Sequence, residues 1–376
     1  MGNKWLTKLQ QLEGAVKIGE YNPFMEGVRS PSPSVNFIFG NTHLLPFGAS
    51  AIFWGPQKGG KSVLINAIIG QVHQDYPDAI VLKFNTEERE LFQLTPTIAK
   101  QFGIDLDRYS SYDTNKPEHV FDAIQYKVSE MCEQGANIKL IVIDSISDIM
   151  GRRAGNSTSI SQQQIGDEAL TIKDGLKRIR HVLRTHKIAL IMAAQQTNEL
   201  DPVEVMRGRK YKMAGANYLR HFGEYFVYIA ANESKDGRVD ILGNEFVDEE
   251  HTDVHANPDK VAHKIKVQMK DSSVGIKGRI GEFTLHRFKG VINVHEEIFR
   301  LGVARKIFER PNNRTYIIRD FPQGQDGQWT SREDCLLAIQ KNEDLAKEIV
   351  GRVRRADIEA YENGIETSDD ISEVTG

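Results

Sequence analysis

The sequence predicts an α/β protein built on a mostly parallel, doubly wound sheet. An N-terminal helix or arm precedes the sheet, and a small C-terminal α/β domain follows it. Two observations carry this prediction. Apolar runs at 51–54, 79–84, 139–143 and 188–192 lack polar alternation, as strands buried on both faces do. Helical stretches at 61–74, 117–131 and 168–185 separate them. The second observation is the segment 55–62, which fits G-x-x-x-x-G-K-[ST] between a strand and a helix.

In that segment each residue type has a physical task. Gly55, Pro56, Gln57, Lys58, Gly59 and Gly60 allow the backbone to curl so that successive N–H groups face one concavity, an anion nest. The helix that begins near Lys61, Ser62 and Val63 adds its positive dipole end. Lys61 would reach the β- and γ-phosphates of ATP, and the Ser62 hydroxyl would ligate Mg²⁺. A ligand-free Gly/Lys-rich turn is the bland alternative, and the complete motif in strand-to-helix context disfavours it.

Taken in order, residues 1–20 place Trp5, Leu9, Leu12 and Val16 at helical spacing. Pro23, Pro31 and Pro33 then break regular structure. Residues 1–34 thus read as a helix and oligomerisation arm, whose aromatics suit docking on a neighbouring molecule. Residues 35–290 form the core. Its sheet should hold ligands at the carboxyl ends of the strands. Three strand ends there bear chemistry. Asp144 closes an apolar strand in the Walker B manner and would hold Mg²⁺ through water, although such an Asp can also merely cap a helix. Glu87, with Glu88 as the alternative, could deprotonate an attacking water, or the pair could be a solvated acidic turn. Gln195 could donate to a γ-phosphate oxygen and lose that bond on hydrolysis.

Two polar segments follow the Asp144 and Gln195 strands. Segment 151–167 begins with Arg152 and Arg153, and 197–214 reads as irregular and carries Arg207, Arg209, Lys210, Tyr211 and Lys212. Cations neutralise phosphates, and Tyr211 offers a stacking face to an unpaired base. Either cluster alone could be solvated surface. That both follow nucleotide-site residues points to nucleic acid. A strand is expected at 225–230, a hairpin with a loop at 235–263, and a strand pair at 264–269 and 281–287. Helices at 294–309 and 332–355 make the C-terminal domain, 291–356. Residues 357–376, with seven acidic residues and no basic one, read as a disordered acidic tail.

Composition sets outer bounds. The chain has 376 residues, is 40% hydrophobic and 27% charged, and carries a net charge of -4, ordinary for a soluble protein with a core. Two distant cysteines suggest a reducing compartment, and no apolar run approaches a membrane span. The N-terminus has no signal-peptide pattern. A cytoplasmic location, with no membrane partner, is the expectation.

Several of these segments, in this order, resemble the RecA family of recombinases, most closely its phage-type, UvsX-like members. They are Leu45-Pro46-Phe47-Gly48, the phosphate loop, Asn85-Thr86-Glu87, Thr95-Pro96-Thr97-Ile98, Phe102-Gly103-Ile104-Asp105, Asp144-Ser145, Gln195, Gly215-Ala216-Asn217-Tyr218-Leu219, Ile292-Asn293 and Leu301-Gly302-Val303. The resemblance spans about residues 30–355 and implies a RecA-like P-loop ATPase core. It implies that Glu87 is the catalytic base, that Thr95 and Ile98 help cup adenine, and that Gln195 is the γ-phosphate sensor. It also implies that Lys270 of a neighbouring subunit reaches the phosphates. Ile98 replaces the family's stacking Tyr, and Ser272 stands where a second trans cation is usual. The implied activity is a DNA-dependent ATPase coupled to strand exchange. Its partners would be single-stranded DNA, homologous duplex DNA, a homo-oligomeric filament, a single-strand-binding protein and a loader. Its setting would be the cytoplasm of a phage-infected bacterium. A hexameric helicase of the same fold and an ATP-gated DNA-binding mediator with little hydrolysis are the alternatives.

Overall fold

Alternating apolar side chains hold one sheet between two packed layers. Along the strand at 50–55, Ala51 and Phe53 enter one core and Ile52 the other, and Leu140 and Val142 oppose Ile141 and Ile143 in the same way. Both faces are therefore covered, and that removes the polar alternation from the sequence. The computed structural model describes residues 26–88, 94–149, 167–208, 210–231, 238–239, 262–274, 277–321 and 326–362. The expected N-terminal helix, Arg152, Arg153, Arg209 and residues 363–376 lie outside them.

In chain order the described strands are β1 (Gly27–Val28), β2 (Leu45–Pro46), β3 (Ser50–Gly55), β4 (Ile80–Asn85), β5 (Tyr109–Asp113), β6 (Ile138–Asp144), β7 (Ala189–Asn198), β8 (Tyr211–Met213), β9 (Tyr225–Ala231), β10 (Arg238–Val239), β11 (Ala262–Ser272), β12 (Ile280–His286), β13 (Gly290–Ile292), β14 (Tyr316–Ile318) and β15 (Gly327–Trp329). The main sheet runs β13-β12-β11-β9-β3-β7-β6-β4-β5. From β9 to β5 every pairing is parallel, and β11, β12 and β13 extend the sheet antiparallel. The fold is the RecA-like α/β architecture. None of the described helices is long and apolar enough to cross a membrane.

Several element expectations change. The described residues of 197–214, which are 197–208 and 210–214, form a hairpin: β7 runs on to Asn198, helix Pro202–Met206 follows, and β8 returns to pair with β7. Asp201 caps that helix by accepting from the Val203 N–H, with Pro202 in the first turn, where a missing donor does no harm. The helix expected at 294–309 ends at Ala304. The one expected at 332–355 is two helices, Arg332–Lys341 and Glu343–Glu362, because Asn342 stops the first and accepts from Asp344 and Leu345 N–H at the start of the second. The boundaries drawn after residues 34, 290 and 356 each fall inside an element: helix Pro33–Phe37, β13 and helix Glu343–Glu362.

C-terminal residues pack as part of the sheet's own core. Ile298, Leu301, Ile339, Ile349 and Val353 share one apolar cluster with Leu64 and Val227. Asp357, expected to open a disordered tail, is buried in helix Glu343–Glu362. Its carboxylate faces His43 Nε2 at 2.6 Å, Arg279 Nη1 at 2.9 Å and Arg305 Nε at 2.8 Å. Burying a carboxylate needs this degree of compensation. Both guanidiniums also lie over the Phe37 ring, 4.7 and 4.6 Å from its centroid.

Candidate nucleotide site and nucleic-acid interface

β3 ends at Gly55, directly opposite Gln195 in the parallel ladder, while Asn85 stands opposite Asp144. Register thus brings the ends of β3, β4 and β6 and the Gln195 position of β7 to one edge of the sheet, with Gly55 and Gln195 two residues beyond Asn85 and Asp144. Gly60 takes a left-handed conformation, φ 89°, and starts helix Lys61–Asp75, whose first internal bond is from Leu64 N–H to the Gly60 carbonyl. The N–H groups of Lys61, Ser62 and Val63 precede that bond and have no intrahelical acceptor. A Cβ at Gly55 would lie 2.0 Å from the Ile229 carbonyl oxygen, so only glycine permits β3 and β9 this approach. Gln57 and Lys58 are exposed at the loop crest, and Pro56 is half-buried.

Lys61 folds across the loop, its ammonium donating to the carbonyls of Gly55 at 3.0 Å and Pro56 at 2.7 Å. Burial pushes its pKa below the usual lysine value, and the nearby carboxylates of Asp144 and then Glu87 pull it back. Asp144 and Glu87 thus lie within electrostatic reach of the lysine. Glu87 is half-buried, whereas Glu88 is exposed, with φ 55°. Thr86 ties the two strand ends together: its N–H donates to the Asp144 carbonyl at 2.9 Å and its hydroxyl accepts from Ser145 N–H at 2.8 Å.

Gln195 is the junction of the site. Its Oε1 accepts from Gln57 Nε2 at 3.3 Å, its Nε2 faces Asp148 Oδ2 at 3.5 Å, and its N–H donates to Ser147 Oγ at 3.3 Å. Its carbonyl accepts from Ala214 N–H at 2.8 Å, where the hairpin returns. Next to it, Gln196 accepts from the Tyr228 hydroxyl at 3.2 Å, and the Lys270 ammonium lies 5.4 Å from the centre of the Tyr228 ring. Lys270 sits where β11 shifts register between Met269 and Asp271, an irregularity that re-aims a side chain.

Thr95 and Ile98 belong to a separate element, helix Pro96–Phe102 and its cap. Thr95 caps helix Pro96–Phe102 by accepting from Ile98 N–H, and Ile98 is half-buried against the core. That helix packs on the far half of the phosphate-loop helix, where the Phe102 carbonyl crowds Gly70.

In the hairpin, the cation cluster is offset by carboxylates that the sequence reading passed over. Arg207 pairs with Glu204 at 2.8 Å, and Lys212 with Glu199 at 3.0 Å. The two cations are partly exposed and their carboxylate partners largely buried, so each pair ties a cation back to the hairpin. Tyr211 is 48% exposed, enough to offer a ring face, and Lys210 is exposed beside it. A second basic feature went unseen in the sequence. Lys173, Lys177, Arg180 and His221 line a groove of about 440 Å³ with Tyr218 and Phe222. Arg180 is fixed there by the carbonyls of His221 at 2.9 Å and Phe222 at 3.2 Å. The helical spacing of Lys173, Lys177 and Arg180 was the available signal, but they stand on the polar face of a long amphipathic helix, where charge usually means only solvation.

The nest fits a nucleoside triphosphate: helix-start N–H groups without an intrahelical acceptor, the half-buried Lys61 amine, and Gly55, where a Cβ would run into the Ile229 carbonyl. The Ser62 hydroxyl and Asp144 carboxylate are hard oxygen donors suited to Mg²⁺. Fold and site together define a P-loop nucleotide-binding protein. A family model described as the RecA N-terminal domain matches residues 13–262, and the chain belongs to the RecA family. Protein RecA of Thermus aquaticus is 22% identical over 314 residues, covering 83% of this chain and 81% of that protein. Protein RecA of a Nocardioides species is 23% identical over 308 residues, 82% and 76% of the two chains. Protein RecA of Thermus thermophilus is 20% identical over 309 residues, 82% and 79%.

Proposed function

We propose that this chain is an ATP-dependent recombinase that assembles as a helical filament on single-stranded DNA, pairs it with homologous duplex and exchanges strands. The observation that carries the reading is Gln195, whose side chain touches the phosphate loop while its main chain holds the hairpin's return. A change at the phosphates is thereby a change at the hairpin. Bound ATP supplies the γ-phosphoryl group together with its Mg²⁺. The loop N–H groups and Lys61 hold the phosphates, Ser62 and Asp144 hold the metal, and Thr95 and Ile98 flank the base. Glu87 accepts a proton from the attacking water, and Gln195 reads the γ-phosphate. Lys270 of the adjacent subunit completes the site, with residues 1–34 as the arm that joins subunits.

Arg207, Arg209, Lys210, Tyr211 and Lys212 of the hairpin, with Arg152 and Arg153 of the preceding loop, grip DNA. Lys173 and Lys177 extend that surface. Phage-type membership, a phage-infected cytoplasm, a loader and a single-strand-binding protein belong to the same reading. The test joins two measurements: ATP turnover with and without single-stranded DNA, and negative-stain microscopy with ATP against ADP. Stimulated turnover and open filaments with ATP are expected. Closed rings would favour a hexameric helicase, and turnover indifferent to DNA would favour the ATP-gated mediator, a reading that Ser272 supports.

A further inference from the structure

Lys83 occupies a position that the sheet gives elsewhere to apolar side chains. It lies on β4 between buried Leu82 and Phe84, and its own side chain is 0% exposed. Its ammonium stands 3.6 Å from Asp144 Oδ2. The register explains the meeting: Lys83 is opposite Val142 and Asn85 is opposite Asp144, so lysine and carboxylate share one face of neighbouring strands. A buried ammonium costs several kcal/mol unless an anion compensates it, and removing that anion costs about as much again. Asp144 also lies within electrostatic reach of Lys61, on the phosphate side. The carboxylate is thus bracketed by two amines, one inside the sheet layer and one on the loop.

We propose that Lys83 tunes how strongly the site holds its metal. Its buried ammonium, 3.6 Å from Asp144 Oδ2, withdraws part of the charge that the carboxylate would otherwise offer Mg²⁺. The carboxylate then holds Mg²⁺ weakly alone and firmly only when phosphate oxygens join the ligand set, as the octahedral preference of Mg²⁺ favours. This inference rests on the reading of Ser62 and Asp144 as the metal-holding pair.

The experiment titrates Mg²⁺ against binding of a fluorescent ATP analogue to the full chain, in the wild type and in Lys83→Met, Asp144→Asn and Ser62→Ala. Lys83→Met keeps the stem and removes the charge. It should lower the half-saturating Mg²⁺ about tenfold, which is about 1.4 kcal/mol, while affinity in EDTA stays within about twofold of wild type. A purely structural role would shift the EDTA affinity as well, and that result overturns the proposal. An unchanged or raised Mg²⁺ requirement in Lys83→Met, alongside a raised requirement in Asp144→Asn and Ser62→Ala, overturns the Lys83 inference and leaves the metal assignment standing. No response in Asp144→Asn and Ser62→Ala overturns both. If Lys83→Met does not fold, Lys83→Met combined with Asp144→Asn should recover the thermal midpoint by removing both charges, and failure to recover it also counts against the pairing.

Discussion

Glu87 and Glu88 are adjacent carboxylates in unlike surroundings. Glu87 is half-buried within the field of Lys61, and Glu88 is exposed on a left-handed turn residue. Glu87→Gln should therefore lower phosphate release about 100-fold or more, the scale of a lost general base, while ATP-dependent DNA binding persists. Glu88→Gln should stay within about threefold of wild type. A steady-state assay of both variants decides which carboxylate acts. The motifs that carry Lys61 and Asp144 were visible in the sequence, and in the structure the two side chains lie within electrostatic reach of each other. Lys83 was not legible in the sequence, since a single lysine in an apolar run reads as a strand irregularity until the register sets it against Asp144. Glu297 was also missed. It is buried, accepts from Ser34 N–H at 3.0 Å, and burial pushes its pKa up from 4.5 to about 7. Its contribution to stability is full below the unfolded value and is lost as pH rises through about 7. Compared with Glu297→Gln, the wild type should lose on the order of 3 kcal/mol between acid and mildly alkaline pH. Chemical denaturation of the pair across that range measures the difference.

At the scale of elements, the hairpin β7–β8 shows where periodicity ran out. Thr197, Asn198, Tyr211 and Lys212 pair across the hairpin, yet neither face carries a run of apolar residues, so no alternation marks them as strands. What marks the hairpin is chemistry at its bends, Asp201 before Pro202 and Gly208 at φ 84°. The parallel strands were legible for the converse reason, since burial on both faces leaves a continuous apolar signature. If both basic elements grip DNA as proposed, their contributions should be separable. Lys173→Ala with Lys177→Ala should flatten the salt dependence of single-stranded DNA affinity by about one unit for each phosphate no longer neutralised. Arg207→Ala should do less, because Glu204 already holds part of its charge. Binding isotherms at several salt concentrations separate the two, and equal slopes in all variants would remove both elements from the interface.

Across the whole molecule, the C-terminal helices and the sheet share one core, and Asp357 fastens them. The segment after residue 356 looks like a tail in sequence because charge counting does not register which carboxylate has partners. Asp357 has three, contributed by residues 43, 279 and 305. Asp357→Asn should cost about 3 kcal/mol of stability, the scale for removing one side of a buried ion cluster, and a denaturant midpoint would show it. A loss below about 1 kcal/mol would mean that the arginines find equivalent acceptors elsewhere.

The same cluster sets rules for handling the molecule. A reporter fused at residue 356 would discard the carboxylate on which His43, Arg279 and Arg305 converge, whereas a tag appended beyond Glu362 leaves that knot tied. A trypsin-like nick after Arg355 would likewise cut Asp357 off from the helix that precedes it, and the damage would be felt as far away as His43, 314 residues upstream.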